Sequence, residues 1–358
     1  MTKIKWFLLA ALASAVAVPF VRPAIADEFA DVLDTPAVRS ELAAYSMMTG
    51  LARAGERLVA VGQRGHILYS DDRGQHWQQA QVPISSDLVA VHFPTSQKGW
   101  AVGHDGVVLY SSDAGQTWNR QLDGREVGPI LLNYYQHQLD SHPVDSDIQA
   151  RVGEAQRMVE EGADKPFLDV WFENERVGYI VGAFNLIFRT DDGGQRWIPL
   201  MERTDNPGAL NLYALRPVGD ELFIVGEQGL VMKQDRTSGR FKALPTPYSG
   251  SFFGVTGKPG VALVFGLRGN LYRSTDGGSS WKKVDVGLPL SITSSTITPD
   301  GRIVLVSQAG HVLVSTDDGA SFQLQPNTSL APVAAVQVAS GGSLVLAGTR
   351  GLRQLPLE

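Results

Sequence analysis

The chain of 358 residues contains no cysteine. This absence excludes a disulfide framework, a cysteine-ligated zinc or iron–sulfur centre and a thiol nucleophile. An excess of basic residues is also missing, because 31 Lys and Arg stand against 37 Asp and Glu, a net charge of −6. A mildly acidic chain disfavours a nucleic-acid partner. No apolar run reaches the roughly 18 residues of a comfortable membrane span.

Glycine and apolar residues are abundant instead. The chain has 38 Gly, and 43% of its residues are hydrophobic. Apolar residues at this level exclude a disordered chain, and the glycine content indicates a folded chain with many turns.

The N-terminus has the layout of a secretory signal peptide. Lys3 and Lys5 precede an apolar run at 6–21, and Ala24 and Ala26 supply the small residues of a cleavage site. We predict a leader at 1–26 and an exported, soluble mature chain at 27–358, with a net charge of about −9 because cleavage removes three basic residues and no acid. An uncleaved membrane anchor is the alternative, whereas a lipid anchor is excluded because there is no cysteine.

A short apolar run that ends in a small residue recurs along the chain. The end positions are 41, 79, 44, 40, 41 and 41 residues apart, so one interval holds an insertion. A period near 41 residues is typical of propeller blades. The seven end positions are Gly62, Gly103, Gly182, Gly226, Gly266, Ser307 and Gly348.

Fixed offsets follow each small residue. Ser or Thr stands eight residues later, Asp ten residues later and an aromatic residue fifteen residues later in five of the units. The fourth unit keeps only Phe241, with Arg236 in place of the Asp. The Asp and aromatic pairs are Asp72 and Trp77, Asp113 and Trp118, Asp192 and Trp197, Asp276 and Trp281, and Asp317 and Phe322.

Each unit contains the strands of one blade. The apolar run predicts a strand that is buried on both faces. A turn closed by Gly, a second strand, the Ser/Thr-x-Asp segment and a third strand follow, and one more strand precedes the run. Four short strands per unit predict an all-β fold, a single seven-bladed propeller with four-stranded antiparallel blades.

The last unit is too short for its outer strand. The chain stops ten residues after Gly348, and an incomplete blade would leave an unpaired edge. We therefore predict that a segment near 28–38 joins the last blade as its fourth strand and closes the ring.

The segments at 70–77, 111–118, 190–197 and 274–281 resemble Asp boxes, the bacterial neuraminidase repeat. The physical role we expect is structural: the Asp accepts backbone N–H bonds across a turn, and the Trp packs between neighbouring sheets. Paired catalytic carboxylates or a calcium loop are the functional alternatives. The box is specific for the blade and says little about function.

The chain resembles the photosystem II stability/assembly factor family over roughly 45–358. The resemblance lies in its length, its leader and sequence segments such as Gly99–Gly103 and Thr190–Trp197. The resemblance implies a periplasmic or lumenal propeller that binds newly made membrane-protein subunits without catalysis. It departs from the lipid-anchored members in having no cysteine, and it carries an extra insertion after the second blade.

The turns between the second and third strands predict a ring of residues at one end of the propeller. Read blade by blade, the ring is Arg64, Asp105, Asn185, Glu227, Arg268, Gln308 and Arg350. Its three arginines form one arc, which predicts docking of a carboxylate or acidic peptide segment. Ordinary solvated surface arginines are the alternative interpretation. The resembled family carries an arginine patch on one face, which we match by turn position only.

The insertion at about 125–163 belongs to the same end. Apolar residues at helical spacing predict an amphipathic helix at 146–161 and a second helix around 128–139. The helices either pack on the propeller or grip a partner. His137 and His142 are too sparse for a metal site, so we expect neither metal nor cofactor.

We hypothesise a monomeric, non-catalytic exported scaffold that binds a protein partner, such as a membrane-protein segment or an acidic peptide. A glycosidase of the sialidase or xyloglucanase type is the first alternative, although a sialidase needs a Tyr–Glu pair beside its arginines and none is evident. An accessory subunit of an envelope transporter is the second alternative.

Overall fold

The computed structural model describes residues 30–326 and 330–357, and the predicted leader at 1–26 lies outside them. Residues 32–358 form one compact unit. It is the predicted seven-bladed propeller: six antiparallel sheets have four strands, and the seventh has three. In each blade the strands lie side by side in chain order.

The strands, grouped by blade, have the following bounds. Blade one has β1 Met48–Ala54, β2 Arg57–Gly62, β3 Ile67–Ser70 and β4 Gln78–Gln79; blade two has β5 Leu88–His92, β6 Gly99–Gly103, β7 Val108–Ser111 and β8 Asn119–Leu122. Blade three has β9 Phe167–Phe172, β10 Gly178–Gly182, β11 Ile187–Thr190 and β12 Ile198–Pro199; blade four has β13 Leu212–Val218, β14 Glu221–Gly226, β15 Val231–Gln234 and β16 Phe241–Ala243. Blade five has β17 Phe252–Lys258, β18 Val261–Gly266, β19 Leu271–Ser274 and β20 Lys282–Val284; blade six has β21 Ile292–Ile297, β22 Ile303–Ser307, β23 Val312–Ser315 and β24 Gln323–Leu324; blade seven has β25 Val333–Val338, β26 Leu344–Gly348 and β27 Gly351–Leu355.

The apolar runs are the second strands of their blades. All five residues of β6 are buried, and so are all five of β22. A run that is apolar at every position folds this way because both faces of the strand contact a neighbouring blade. The core is therefore a ring of clusters between blades.

The Asp box is a hydrogen-bonded turn, as predicted. In blade two Ser111 Oγ donates to Asp113 Oδ1 over 2.8 Å and accepts the N–H of Gly115 over 2.9 Å. Asp113 Oδ1 also accepts the N–H of Gln116 and of Thr117, each over 3.0 Å. Gly115 has φ +85°, the left-handed conformation that glycine adopts without strain. The carboxylate therefore replaces backbone partners that the turn itself lacks.

Each box packs on the preceding blade at the same position of its second strand. In four blades a side-chain carbon added at the glycine two positions after the box Asp would lie 2.6–3.4 Å from a residue three positions before the small residue of the preceding blade. In blade three the corresponding approach, over 3.9 Å, is made at Gly193. The approached residues are Val345 for blade one, Val59 for blade two, Trp100 for blade three, Phe223 for blade five and Leu263 for blade six. The box turns therefore pack against the second strand of the preceding blade, and Trp118 shares a buried cluster with Val59 of blade one.

Blade four lacks the box but keeps the wedge. Phe241 is fully buried and contacts Tyr179 of blade three edge-to-face, with 6.2 Å between the ring centroids. Its turn is held instead by Asp235, whose Oδ1 accepts the N–H of Thr237 over 2.9 Å. The aromatic residue, and not the carboxylate, is therefore the feature common to six blades.

The predicted closure by a strand from residues 28–38 is wrong for the described part of that segment. Its residues run across blades one and two, where Val32 accepts the N–H of Ser85 over 2.8 Å and Ala37 donates to Val82 over 3.1 Å. The ring closes instead by side-chain packing of blade seven on blade one. Met48, Ala60 and Leu68 of blade one form a cluster with Ala335 and Ala347 of blade seven.

The insertion folds as two helices, α1 Gly124–Ser141 and α2 Ser146–Glu161, joined as a hairpin. The bounds of α2 are those predicted, and α1 is longer than predicted at both ends. Asp123 caps the N-terminus of α1 through a capping box with Glu126. This sequence pattern marks the start of the helix, which apolar spacing alone does not show. Among the described residues, no helix has the length and apolarity to cross a bilayer.

Replacing Trp118 by Ala should lower the free energy of unfolding by about 3–5 kcal/mol, because the indole is buried between blades one and two and leaves a cavity. Urea denaturation followed by circular dichroism measures the loss. Trp118→Phe, which keeps an aromatic wedge, should cost less. Equal stability of wild type and Trp118→Ala would contradict the wedge.

The boxes should also make stability depend on pH. Hydrogen bonds from the hydroxyl and N–H of Ser321 lower the pKa of Asp317 to about 2. Because this pKa is lower in the folded state, the contribution is present above about pH 4 and is lost as the pH falls towards 2. Asp317→Asn should therefore show a smaller difference in urea midpoint between pH 5 and pH 2.5 than the wild type. Glu154→Gln, on the exposed side of α2, is the control, and an unchanged difference in Asp317→Asn would refute this origin.

Candidate functional site

The turns between the second and third strands lie at one end of the propeller. The insertion is connected to the propeller at the same end. Five of these turns are short 3-10 segments whose middle residue has a positive φ. The segments are Gln63–Gly65, His104–Gly106, Ala183–Asn185, Glu227–Gly229 and Leu267–Gly269; two further 3-10 segments, Ala43–Tyr45 and Met201–Arg203, lie elsewhere. We call this end the turn face.

The predicted ring was wrong in three blades because the turn register differs. The equivalent positions are Phe184, Gln228 and Ala309, not Asn185, Glu227 and Gln308. Asn185 takes the place of the turn glycine of other blades and has φ +61°. Phe184 is 58% exposed, and the ammonium of Lys165 lies 5.8 Å from its ring centroid.

The three predicted arginines are all exposed on the turn face. Arg64 and Arg268 have φ +57°, and their backbone N–H groups are held by the next blade, by Asp87 Oδ1 over 2.8 Å and by Ser291 Oγ over 3.4 Å. Within the described residues, no acidic side chain forms an ion pair with Arg64, Arg268 or Arg350. The backbone of these turns is therefore fixed, while the cations remain available to a partner.

Arg350 stands next to a second arginine. Burial, and then the charge of Arg350, lower the pKa of Arg353 on β27. Arg353 Nη2 donates to the carbonyl of Ala331 over 3.2 Å. This side of the turn face is accordingly electropositive.

The acids of the turn face are already engaged. Asp105 Oδ2 accepts the hydroxyl of Ser86, and Glu227 Oε2 accepts the N–H of Asn211 over 2.9 Å. Asn185 is buried and bonds Thr204 over 3.0 Å. The arginine arc therefore differs from the rest of the ring in having unpaired charge.

The insertion is anchored on the propeller. Tyr134 donates to Glu202 Oε1 over 2.8 Å, and Arg125 joins Asp123 and Asp34, each over 2.8 Å. Buried apolar residues of α1 and α2 share a cluster with blades two and three. The interpretation that the helices pack on the propeller is confirmed, and gripping of a partner stays a prediction.

A groove of about 990 Å³ lies between α1 and the outer strands of blades two and three. Its apolar wall includes Leu122, Ile130, Trp197 and Pro199, and amide side chains border it. His137 and His142 also line it, but no group of three or more His, Asp or Glu able to hold a metal occurs in residues 30–326 and 330–357. The sequence analysis did not predict this groove, because the residues that line it are far apart in the chain.

An ion pair with a buried acid lies among the first strands of the blades, and the sequence analysis missed it. Asp169 on β9 is 3% exposed, bonds the N–H of Leu215 over 2.8 Å and pairs with Arg216. Burial raises the pKa of Asp169 although Arg216 opposes this. Burial, and then the charge of Arg216, lower the pKa of His92 to about 3, so its neutral ring accepts the N–H of Phe172 over 3.1 Å. The sequence feature that could have indicated this pair is Asp169, an acidic residue in the middle of the otherwise apolar run 167–172.

Besides the bond from Tyr134 to Glu202, the structure contains a second Tyr–Glu pair, whereas no pair beside the arginines was evident from the sequence. Tyr213 Oη lies 3.3 Å from Glu227 Oε1. Burial, and then the charge of Glu227, raise the pKa of Tyr213, which opposes the phenolate that a nucleophile needs. Arg216, the arginine nearest in sequence to Tyr213, is already paired with Asp169. The pair therefore lacks the features of a sialidase centre.

The comparison with protein families agrees with the fold. The family model for photosynthesis system II assembly factor YCF48 matches residues 26–111, 55–133 and 149–321. The chain belongs to this family. A curated relative, photosystem II assembly lipoprotein Ycf48 from Synechococcus sp. (strain CC9902), is 27% identical over 156 residues, which are 42% of this chain. The matched region spans only 46% of that relative.

Solved structures are similar over nearly the whole chain. YCF48 bound to D1 peptide has a TM-score of 0.64 at 15% identity, covering 88% of this chain and 95% of that one. YCF48 from Cyanidioschyzon merolae has a TM-score of 0.61 at 14% identity, covering 89% and 97%. The WD40 propeller domain of Doa1 has a TM-score of 0.61 at 10% identity, covering 91% and 97%. At these identities the likeness shows the fold alone.

Replacing Asp169 by Ala should destabilise the propeller by about 2–3 kcal/mol, because the N–H of Leu215 loses its acceptor and Arg216 loses its counter-charge. Urea denaturation at pH 7 measures the loss. The matched control is Asp300→Ala, which removes an exposed carboxylate from a turn. A loss in Asp169→Ala no larger than in the control would show that the pair is unimportant to the fold.

Proposed function

We propose that this protein is an exported, non-catalytic assembly factor that binds a protein partner through the arginine arc of its turn face. The observation that carries the proposal is the unpaired charge of Arg64, Arg268 and Arg350 in a chain of net charge −6. Guanidinium groups bind carboxylates through two parallel hydrogen bonds. An acidic or carboxylate-bearing peptide segment is the ligand that matches this chemistry.

Family membership supports a protein partner. A relative is described as a photosystem II assembly lipoprotein, and a YCF48 propeller has been solved with a D1 peptide bound. We infer for this chain the same kind of task, recognition of a segment of a membrane-protein subunit. The predicted leader at 1–26 supports export, to the periplasm or a lumen, where such segments emerge from the membrane.

The site chemistry supports the absence of catalysis. The box carboxylates are consumed by hydrogen bonds within their turns, and the pKa of Tyr213 is raised in its pair with Glu227. We therefore favour the scaffold over a glycosidase. A subunit of an envelope transporter would use the same binding surface and remains compatible with it.

Arg64→Glu, Arg268→Glu and Arg350→Glu made together should abolish capture of the partner, because three attractive contacts become repulsive. Immobilised wild type and variant are incubated with solubilised envelope proteins of the source organism, and bound proteins are quantified by mass spectrometry. The substitutions should leave stability within about 1 kcal/mol, since none of the three side chains is buried.

The matched control carries the same charge change elsewhere. Arg73, Arg176 and Lys282 are exposed residues at or beside the Asp-box end, and their combined change to Glu should leave capture intact. Equal loss of capture in both triple variants would indicate an effect of net charge alone. Undiminished capture by the arginine variant would remove the arc from the proposal, and hydrolysis of a fluorogenic sialoside by the wild type would contradict the absence of catalysis.

A further inference from the structure

An exposed tyrosine lies beside the arginine arc, in the connection that leads into blade one. Tyr45 is 72% exposed, and the nearby Leu42 is 69% exposed. The buried Ala43 anchors the 3-10 segment Ala43–Tyr45, and the carbonyl of Leu42 accepts the N–H of Tyr45 over 2.9 Å. The segment is therefore held by the fold while its two large apolar side chains face solvent. We call Leu42 and Tyr45 the tyrosine patch.

The backbone of Tyr45 packs on the hairpin that carries Arg350. A side-chain carbon added at Gly351, the residue after Arg350, would lie 2.0 Å from the carbonyl oxygen of Ala44 and 2.6 Å from Cα of Tyr45. Gly351 has φ +76°, so glycine allows this approach without strain. The tyrosine patch is therefore a direct neighbour of the Arg350 turn.

Two further contacts tie the same connection to the turn of Arg64. The carbonyl of Met47 accepts the N–H of Gln63, the residue before Arg64, over 3.2 Å. Ser46 Oγ lies 3.1 Å from Nδ1 of His66, which is buried. The tyrosine therefore stands between two turns that each carry an exposed arginine.

The repeat itself does not require a tyrosine at this position. In blade one the turn glycine approaches the carbonyl of the next connection as Gly351 does, and the turn glycines of blades four and five do the same. The residues that follow these carbonyls, and so correspond to Tyr45, are Ser85, Ser249 and Pro289. A small or polar residue therefore satisfies the fold, and the exposed aromatic residue belongs to the connection between Arg350 and Arg64.

The phenol of Tyr45 is open to a ligand. Within residues 30–326 and 330–357 it has no hydrogen-bond partner and no aromatic neighbour. The acid nearest to it in sequence, Glu41, borders a separate pocket beside β4 together with Arg39. An aromatic face and two guanidinium groups are therefore presented side by side, and these are the side chains that contribute most to protein interfaces.

We propose that the segment bound by the arginine arc carries a large apolar residue between two acidic residues, and that the apolar side chain packs on the tyrosine patch. Alternate side chains of an extended segment lie on one side, so the pattern is acidic-x-apolar-x-acidic. The two carboxylates reach Arg350 and Arg64, and the apolar residue covers Tyr45. The inference rests on the proposed function, since the arginines belong to both, and it adds the determinant of specificity.

A peptide fits this surface better than a lipid does. Aromatic residues beside arginines also occur where proteins meet membranes, and there the basic residues are attracted by anionic lipids. This chain has a net charge of −6, which opposes approach to such a surface. A short acidic segment needs only the two local cations.

The probe is a fluorescein-labelled peptide of sequence Glu-Gly-Leu-Gly-Glu-Gly-Leu-Gly-Glu, and its partner has Ser in place of each Leu at the same charge. Fluorescence anisotropy measures the binding of both to the full chain. The leucine peptide should bind the wild type at least about fivefold more tightly than the serine peptide. In Tyr45→Ser this preference should fall below about twofold, because the serine peptide has no contact to lose.

The matched control is Phe184→Ser. It removes another exposed aromatic residue, 58% exposed, from the turn of blade three, outside the arc. The preference for leucine should be unchanged in this variant. An equal preference in Tyr45→Ser and the wild type, or equal losses in Tyr45→Ser and Phe184→Ser, would overturn the proposal.

A footprint locates the bound peptide. Tetranitromethane nitrates exposed tyrosines, and mass spectrometry of proteolytic fragments gives the rate at Tyr45. Saturating leucine peptide should slow this rate at least about threefold, and the serine peptide should slow it less. An unchanged rate at Tyr45 would place the peptide elsewhere and overturn the proposal.

The remaining outcomes separate this inference from the proposed function. Loss of binding of both peptides in Arg64→Glu/Arg268→Glu/Arg350→Glu, with the leucine preference kept in Tyr45→Ser, supports the arc and overturns the role of the patch. Binding of neither peptide at the highest soluble concentration also overturns this inference, whereas partner capture still decides the proposed function. A dimer that Tyr45→Ser dissociates, or Tyr45-dependent sedimentation with phosphatidylglycerol vesicles, would identify a second copy or a lipid surface as the occupant and would overturn the proposal.

Discussion

In six of the seven blades an aromatic side chain packs on the second strand of the preceding blade, and the propeller depends on this contact. Neighbouring sheets share few backbone hydrogen bonds, so apolar contact must hold them together. The Asp box serves this contact, because its carboxylate and glycine build the turn that presents the aromatic residue. Blade four shows the order of importance: it has lost the carboxylate, yet Phe241 is still fully buried.

Among the described residues, blade seven lacks this repeated aromatic contact. Arg350 of the arginine arc belongs to the same blade. In the part of the chain that the structure describes, blade seven has no box, and the ring closes through apolar residues of blade seven that pack against blade one. Gln354 Nε2 donates to the carbonyl of Arg73, so a polar contact joins blade seven to the first box. The arginine arc passes through the same region, with Arg350 in the hairpin that begins β27.

The repeat could be predicted from sequence in detail because its determinants are local. Ser111, Asp113 and Gly115 are within five residues of one another, so their spacing alone specifies the turn. The helix at 146–161 was predicted with its bounds because apolar residues at helical spacing define a buried face. Turn register was harder to predict: the ring was predicted to include Asn185, although this residue occupies the position of the turn glycine and the exposed residue is Phe184.

The sequence by itself determined the number of blades, the strands and the role of each box, since these follow from short-range spacing and side-chain chemistry. Only the tertiary structure decided the path of residues 32–40, the pairing of Asp169 with Arg216 and the packing of blade seven on blade one. These features join residues far apart in the chain, and their stability depends on which surfaces meet once the ring has closed. No spacing rule encodes such meetings, because they depend on the packing of whole blades.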